Sequence, residues 1–375
     1  MDKTIFVATR HAIYNQGSIL QAIATEKYLG DIGYNVKIID YVPEEERFPK
    51  IIETELKNNE SWNNNFLKRF IFRFIKFFTK LVSEMRFSKY QSKYLSLTKK
   101  IRDANKIEGY LGKNAIFCSG SDQIWGPIIN GKLNKFYFLD FTTCPKISFS
   151  SSVGRVAEFD DEYIDLLRQF DFISLRDASY VNYFKDRGLK KVFSVLDPTM
   201  MIDPLYWMGF AKGKKIKNDY MLYYRLHKNE KMEEKALEYA REKNIKLIRI
   251  SNSFEHGFLK GKNYSNLDPA DFIGMIKNAK YIISDSFHCT VFSLIFNKNF
   301  ITVSPGETSL RIVELLMMVG LNDRYCTNLE NCFNKFDECI DYNSINKKIE
   351  SIRKNCSEIF EKHLYTMSEV TIKHE

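Results

Sequence analysis

A chain of 375 residues, 44% hydrophobic and 27% charged, is too long for one ordinary domain and too well mixed in polarity for disorder, so two folded domains are expected. The net charge of +9 is local: residues 66–100 hold ten Lys or Arg against one acid, Glu84, and the rest is neutral, which argues against a nucleic-acid partner. The seven cysteines are odd in number, form no CxxC pair and show no metal-ligand spacing with histidine, so reduced thiols and no metal are expected.

Thr4–Ala8 is too short for a signal sequence and reads as a first strand. No uncharged apolar run reaches the length of a membrane span, so the expectation is a soluble, cytoplasmic protein. A polar loop then leads to Ser18, which reads as the cap of a helix running to about Ile32, with Gly33 ending it. Val36–Tyr41 is a second strand, and this βαβ opening predicts a parallel, doubly wound sheet. Asn15, Gly17 and Ser18 form a candidate ligand-binding loop at a helix N-terminus, although the GxGxxG dinucleotide fingerprint is absent.

From Phe66 to Val82 apolar residues recur at helical spacing, with Lys68, Arg69, Arg73, Lys76 and Lys80 expected on the other face and no acid between residues 61 and 83. One reading is a helix packed on its own domain with lysine stems laid along it; the other is an interfacial helix, residues 66–82, lying on an anionic membrane surface. Ala115–Cys118 is a buried strand that runs into Ser119-Gly120-Ser121-Asp122-Gln123-Ile124-Trp125. A carboxylate and an amide can hold sugar hydroxyls and an indole can stack on a sugar face, so Asp122, Gln123 and Trp125 are candidate acceptor residues. The plainer alternative is a capping Asp and a core Trp. Further strands begin at Lys146, Phe172 and Val192, and the second of them ends in Arg176-Asp177, a guanidinium at the carboxyl end of a sheet strand.

Asp203-Pro204, Trp207 and a basic Lys212–Lys215 run read as a connection, after which a second α/β series begins at Tyr220. The expected domains are 1–205, 216–335 and a helical segment 336–375 returning to the first. Within the second series, Tyr281–Ser284 reads as a buried strand, Asp285 and Ser286 as N-cap residues, and Phe287 to about Phe296 as a buried helix. His288, in its first turn, is the candidate catalytic residue; a core histidine satisfied by a carbonyl is the alternative.

Taken together, six pieces occur in one order across residues 3–325: Asn15-Gln16-Gly17-Ser18-Ile19-Leu20-Gln21, Gly120–Trp125, Ser174-Leu175-Arg176-Asp177, Leu196-Asp197-Pro198-Thr199, Ser284–His288, and Arg311–Leu316 with Gly320–Arg324. In this the chain resembles the polysaccharide pyruvyl transferase family. The resemblance implies an α/β fold with two Rossmann-like domains in a glycosyltransferase-B-like arrangement with parallel sheets. It implies phosphoenolpyruvate as donor substrate with no cofactor, transfer of its pyruvyl group as a ketal onto two hydroxyls of a glycan or lipid-linked sugar, and release of phosphate. It gives His288 the role of general acid and makes Arg176, Arg311 and Ser286 donor-side residues, with Asn15, Gly17, Ser18, Asp122, Gln123 and Trp125 on the acceptor side. Many relatives carry an arginine two residues before the histidine. Here that position is Ser286, which leaves one donor cation missing or supplied by Arg311, Arg10, Lys298 or Arg225. Two other classes stay open: a sugar-nucleotide glycosyltransferase of the same architecture, and a non-catalytic membrane-interaction protein built on the basic helix.

Overall fold

The computed structural model describes residues 4–57, 59–112, 114–126, 133–154, 159–227, 229–251, 262–304 and 310–372. The chain divides into two compact units, one made of Met1–Tyr14, Ser18–Met201 and Asn355–Glu375, the other of Asn15–Gly17 and Ile202–Lys354.

In the first unit, β1 (Thr4–Ala8), β2 (Asn35–Ile38), β3 (Ala115–Ser119) and β4 (Lys146–Ser148) form a parallel sheet ordered β2-β1-β3-β4. Ile5, Val7, Phe117 and Cys118 are fully buried, as expected for parallel strands covered on both faces. β5 (Ile173–Leu175) and β6 (Val192–Ser194) pair with each other, and single bridges from Ile147 to Phe172 and from Ser151 to Leu175 carry them on from β4. The helix Gln16–Asp31 starts before Ser18 because Asn15, not Ser18, caps it: Asn15 Oδ1 accepts from the Gly17 N–H at 2.8 Å. From the other end of the chain, Phe360 in the helix Tyr342–Ile372 is fully buried against Phe149, Phe172 and Tyr28, with ring centroids 4.8, 5.5 and 6.0 Å away.

The basic aromatic segment is one helix, Phe66–Tyr94, longer than its apolar periodicity indicates and opened by Asn65, whose side chain accepts from the Leu67 N–H. Phe72 seats it on Ile52 and Leu56 in a small separate core. Its basic side does not face solvent as a free polar surface. Arg73 reaches Glu53 at 2.7 Å, and Lys76 and Lys80 reach Glu55 at 3.7 and 2.5 Å, while Phe66, Phe70, Phe74 and Phe78 point outward. No helix among the described residues is long and apolar enough to cross a membrane.

In the second unit, β7 (Tyr220–Tyr224), β8 (Lys246–Ser251), β9 (Lys262–Ser265), β10 (Tyr281–Ser284), β11 (Asn299–Val303) and β12 (Tyr325–Cys326) form a parallel sheet ordered β12-β11-β10-β7-β8-β9. β10 lies against β7 with Ser284 opposite Tyr224, and the strand order reverses between these two. Asp203 and Asp268 cap helices that open on proline, and Gly213 (φ 74°) crosses the helix Pro269–Asn278 at Gly274. Contrary to the expectation of reduced thiols throughout, Cys326 and Cys332 are joined as a disulfide; Cys118, Cys144, Cys289, Cys339 and Cys356 take part in no disulfide.

Candidate active site

In an open parallel sheet, ligands bind outside the carboxyl ends of the strands where the order reverses. In the second unit that place is the β7/β10 boundary. The chain leaves β7 as Arg225-Leu226-His227 and leaves β10 as Asp285-Ser286-Phe287-His288. Ser286 caps the helix Phe287–Ile295, accepting from the Cys289 N–H, and so places His288 in its first turn. Asp285 is not a cap. Its carboxylate turns to the neighbouring strand, accepting from the Leu226 N–H at 2.6 Å and the His227 N–H at 2.9 Å, with His227 Nδ1 at 3.0 Å. A buried carboxylate with these donors locks the two strand ends together and orients the His227 ring, which is half exposed.

His288 is buried, and the space beside its ring depends on Gly17. A Cβ at Gly17 would lie 2.1 Å from His288 Nδ1 and 2.7 Å from Cγ, so no larger residue fits while the imidazole stays where it is. Gln16, alongside, donates from Nε2 to the Leu267 carbonyl at 2.7 Å. Arg311, on the helix Leu310–Val319, lies over the Phe287 ring at 5.5 Å, which brings it to the residue next to His288. Arg225 is buried at the end of β7. Burial pushes the Cys289 thiol up to about 12, so a thiolate nucleophile is not built here. Lys298 does not supply the missing donor cation. It precedes β11, at the amino end of the sheet, where Nζ donates to the Lys277 carbonyl.

Asn15 belongs with Gly17 to the second unit, and the remaining predicted residues to the first. Asp122 (φ 78°) follows β3; its Oδ2 accepts from Ser18 Oγ at 2.7 Å and its Oδ1 from the Gln123 N–H at 2.9 Å. Arg176 donates from Nη1 to Asp197 at 2.8 Å and has Nη2 3.7 Å from Asp122. Burial works against its charge, but Asp197, Asp122 and Asp177 outweigh that and hold its pKa above the ordinary value. Its charge is thus compensated within the protein. Arg10 likewise pairs with Glu46 at 2.9 Å. Trp125 is corrected outright. It is fully buried, donates from Nε1 to the Tyr137 carbonyl at 3.0 Å and packs on Phe138 and Phe170, so its indole cannot stack on a sugar. Gln123 is half buried beside Gly154. Among the described residues no group of three or more His, Cys, Asp or Glu could hold a metal ion.

His227 is the residue that sequence reasoning missed. Its importance comes from the pairing of β7 with β10, which no local pattern announces. The available signal was a strand ending in Arg-Leu-His, read against the same polar ending after β10.

The fold is similar to that of a UDP-GlcNAc 2-epimerase from Neisseria meningitidis bound to UDP-GlcNAc, with a TM-score of 0.55 and 10% identity over 98% of this chain and 100% of that one. It is also similar to a UDP-N-acetylglucosamine 2-epimerase from Rickettsia bellii (0.50, 12%, 98% of each chain) and to S. aureus TarM in complex with UDP (0.50, 10%, 97% and 99%). Likeness at such identities shows the architecture alone: α/β with parallel sheets, of the glycosyltransferase-B type. No curated protein sequence matches the chain. The family model that does match runs through residues 15–307, from the loop at Gly17 past the strand and helix that carry His288, and by that match the chain is a transferase of the polysaccharide pyruvyl transferase family.

Proposed function

We propose that this transferase moves the pyruvyl group of phosphoenolpyruvate onto two hydroxyls of one sugar in a glycan or lipid-linked precursor, giving a cyclic ketal and inorganic phosphate. The observation that carries the reading is His288 at the β7/β10 switch point, with Gly17 cleared away from its ring and arginines on both flanking elements. A donor bearing a carboxylate and a phosphate needs cations and oriented N–H groups, and Arg225, Arg311 and the capped N-terminus of the helix Phe287–Ile295 are assigned to it. Ser286 acts there as the cap rather than as a charge.

In the proposed reaction protonated His288 delivers its proton to the donor methylene carbon, which becomes the methyl group. The adjacent carbon turns electrophilic, and one sugar hydroxyl adds to it, its proton returning to the imidazole. The second hydroxyl then attacks the same carbon, the bond to the phosphate oxygen breaks, and the second proton leaves with phosphate. The chemistry requires no cofactor. Asp285 acts through His227, holding the loop in place. On the acceptor side the proposal keeps Asn15, Gly17, Ser18, Asp122 and Gln123; Arg176 is assigned to the ion pair with Asp197 that fixes the end of β5.

The test is phosphate release from phosphoenolpyruvate with a panel of glycan acceptors. Wild type should release phosphate only with an acceptor present, and His288→Gln should lose about 10²–10⁴-fold in rate while keeping its melting temperature. No release with any acceptor, together with transfer from a sugar nucleotide, would replace this reading with glycosyl transfer.

A further inference from the structure

The helix Phe66–Tyr94 turns its faces the opposite way from a helix packed on its own domain. Its inner side is held by the buried rings of Phe72 and Phe87 and by the ion pairs of Arg73, Lys76 and Lys80 with Glu53 and Glu55. On the outside, Phe66, Phe70, Phe74 and Phe78 are 74, 60, 58 and 53% exposed, with Leu67 and Ile71 also exposed beside them. A four-residue spacing keeps those rings on one stripe, roughly 18 Å long at the rise of an α-helix. One exposed phenylalanine is ordinary; a continuous aromatic stripe on a helix is a surface made to meet an apolar phase.

Charge identifies that phase. Of the ten cations in residues 66–100, Arg73, Lys76 and Lys80 pair with Glu53 and Glu55, and the stretch holds one acid of its own, Glu84, which accepts a hydrogen bond from Tyr14. Lys68, Lys89 and Lys93 stand exposed along the helix. A second copy of the chain, related by a two-fold axis, would bring this basic rim against itself. An anionic lipid surface offers both an apolar interior and the opposite charge.

We propose that the helix Phe66–Tyr94 lies in the plane of a bilayer containing anionic lipid, with its phenylalanine stripe sunk to the level of the acyl-chain boundary. The inference is independent of the catalytic reading. It is tested by sedimenting the full-length protein with phosphatidylcholine vesicles, with and without phosphatidylglycerol. Wild type should bind the anionic vesicles, more weakly at high salt. The combined variant Phe70→Ser, Phe74→Ser, Phe78→Ser should lose binding by about a hundredfold, since three rings that would enter the bilayer are withdrawn. The variant Lys68→Glu, Lys89→Glu should lose the preference for anionic lipid. All these side chains are exposed, so both variants should keep the wild-type melting temperature and circular dichroism. Failure of the wild type to sediment with either vesicle overturns the proposal. So does a concentration-dependent dimer, seen by analytical ultracentrifugation, that the phenylalanine variant abolishes without any vesicle binding.

Discussion

Gly17 shows how strictly one position can be set by its neighbour. Its φ is not in the left-handed region, so its need for glycine is spatial rather than conformational. Gly17→Ala would put a methyl group 2.1 Å from His288 Nδ1, closer than atoms can approach, and the imidazole must turn or the loop must shift. With His288 as the proposed general acid, the expected outcome is a fall in turnover of about a hundredfold or more with little change in melting temperature, because displacing such a group costs rate more than stability. Steady-state phosphate release and a thermal melt read the two effects separately. His288 and Ser286 were legible from their strand–turn–helix setting, since an N-cap serine and a first-turn residue follow from local chain chemistry. Asp285 was legible only as a polar turn residue. Its partners Leu226 and His227 lie 59 and 58 residues away, and hydrogen bonds at that separation are set by sheet pairing. Trp125 was misjudged because the residue types that stack on sugars are also those that fill cores, and neighbouring Phe138 and Phe170 decide between the two.

At the scale of elements, the strands were the most readable parts, because parallel strands covered on both faces appear as short unbroken apolar runs. The edge strands of the second unit's sheet were not. Lys262–Ser265 and Tyr325–Cys326 are short and partly polar and carry no periodic signal. The helix Phe66–Tyr94 was legible as a helix but its orientation was not: alternating charge and aromatic faces say which side is which, not which side is inside. The glutamates of the helix Lys50–Lys57 settle that. A different element depends on two glycines. Where the segment after the helix Pro204–Phe210 crosses the helix Pro269–Asn278, a Cβ on Gly274 would stand 2.0 Å from the Gly213 nitrogen. Backbone cannot yield as a side chain can, so Gly274→Ala should cost at least about 1–3 kcal/mol, measured as a lower urea midpoint at unchanged slope.

At the scale of the molecule, the aromatic content sets the response to alkali. Burial pushes the phenols of Tyr137 and Tyr163 well above the ordinary value of 10.0, and those of Tyr28, Tyr220 and Tyr223 above it as well. The folded state therefore holds these protons more tightly than the unfolded chain. Their contribution is fully present below pH 10.0 and drains away as pH rises beyond it toward the folded values. Stability should fall steeply from about pH 10 upward, and phenolate absorbance from the buried rings should appear together with unfolding rather than ahead of it. The second whole-chain prediction concerns the C-terminus. A chain ending at Lys354 loses Phe360 from between Tyr28, Phe149 and Phe172. Removing a buried aromatic costs about 3–5 kcal/mol, so such a chain should bind a hydrophobic dye and lose its cooperative melt.

That same ring has a bearing on birth as well as on strength. The strand Thr4–Ala8 leaves the ribosome long before Phe360, yet the core it belongs to is closed only by that ring. That core must therefore wait, incomplete, while the whole of Ile202–Lys354 is synthesised.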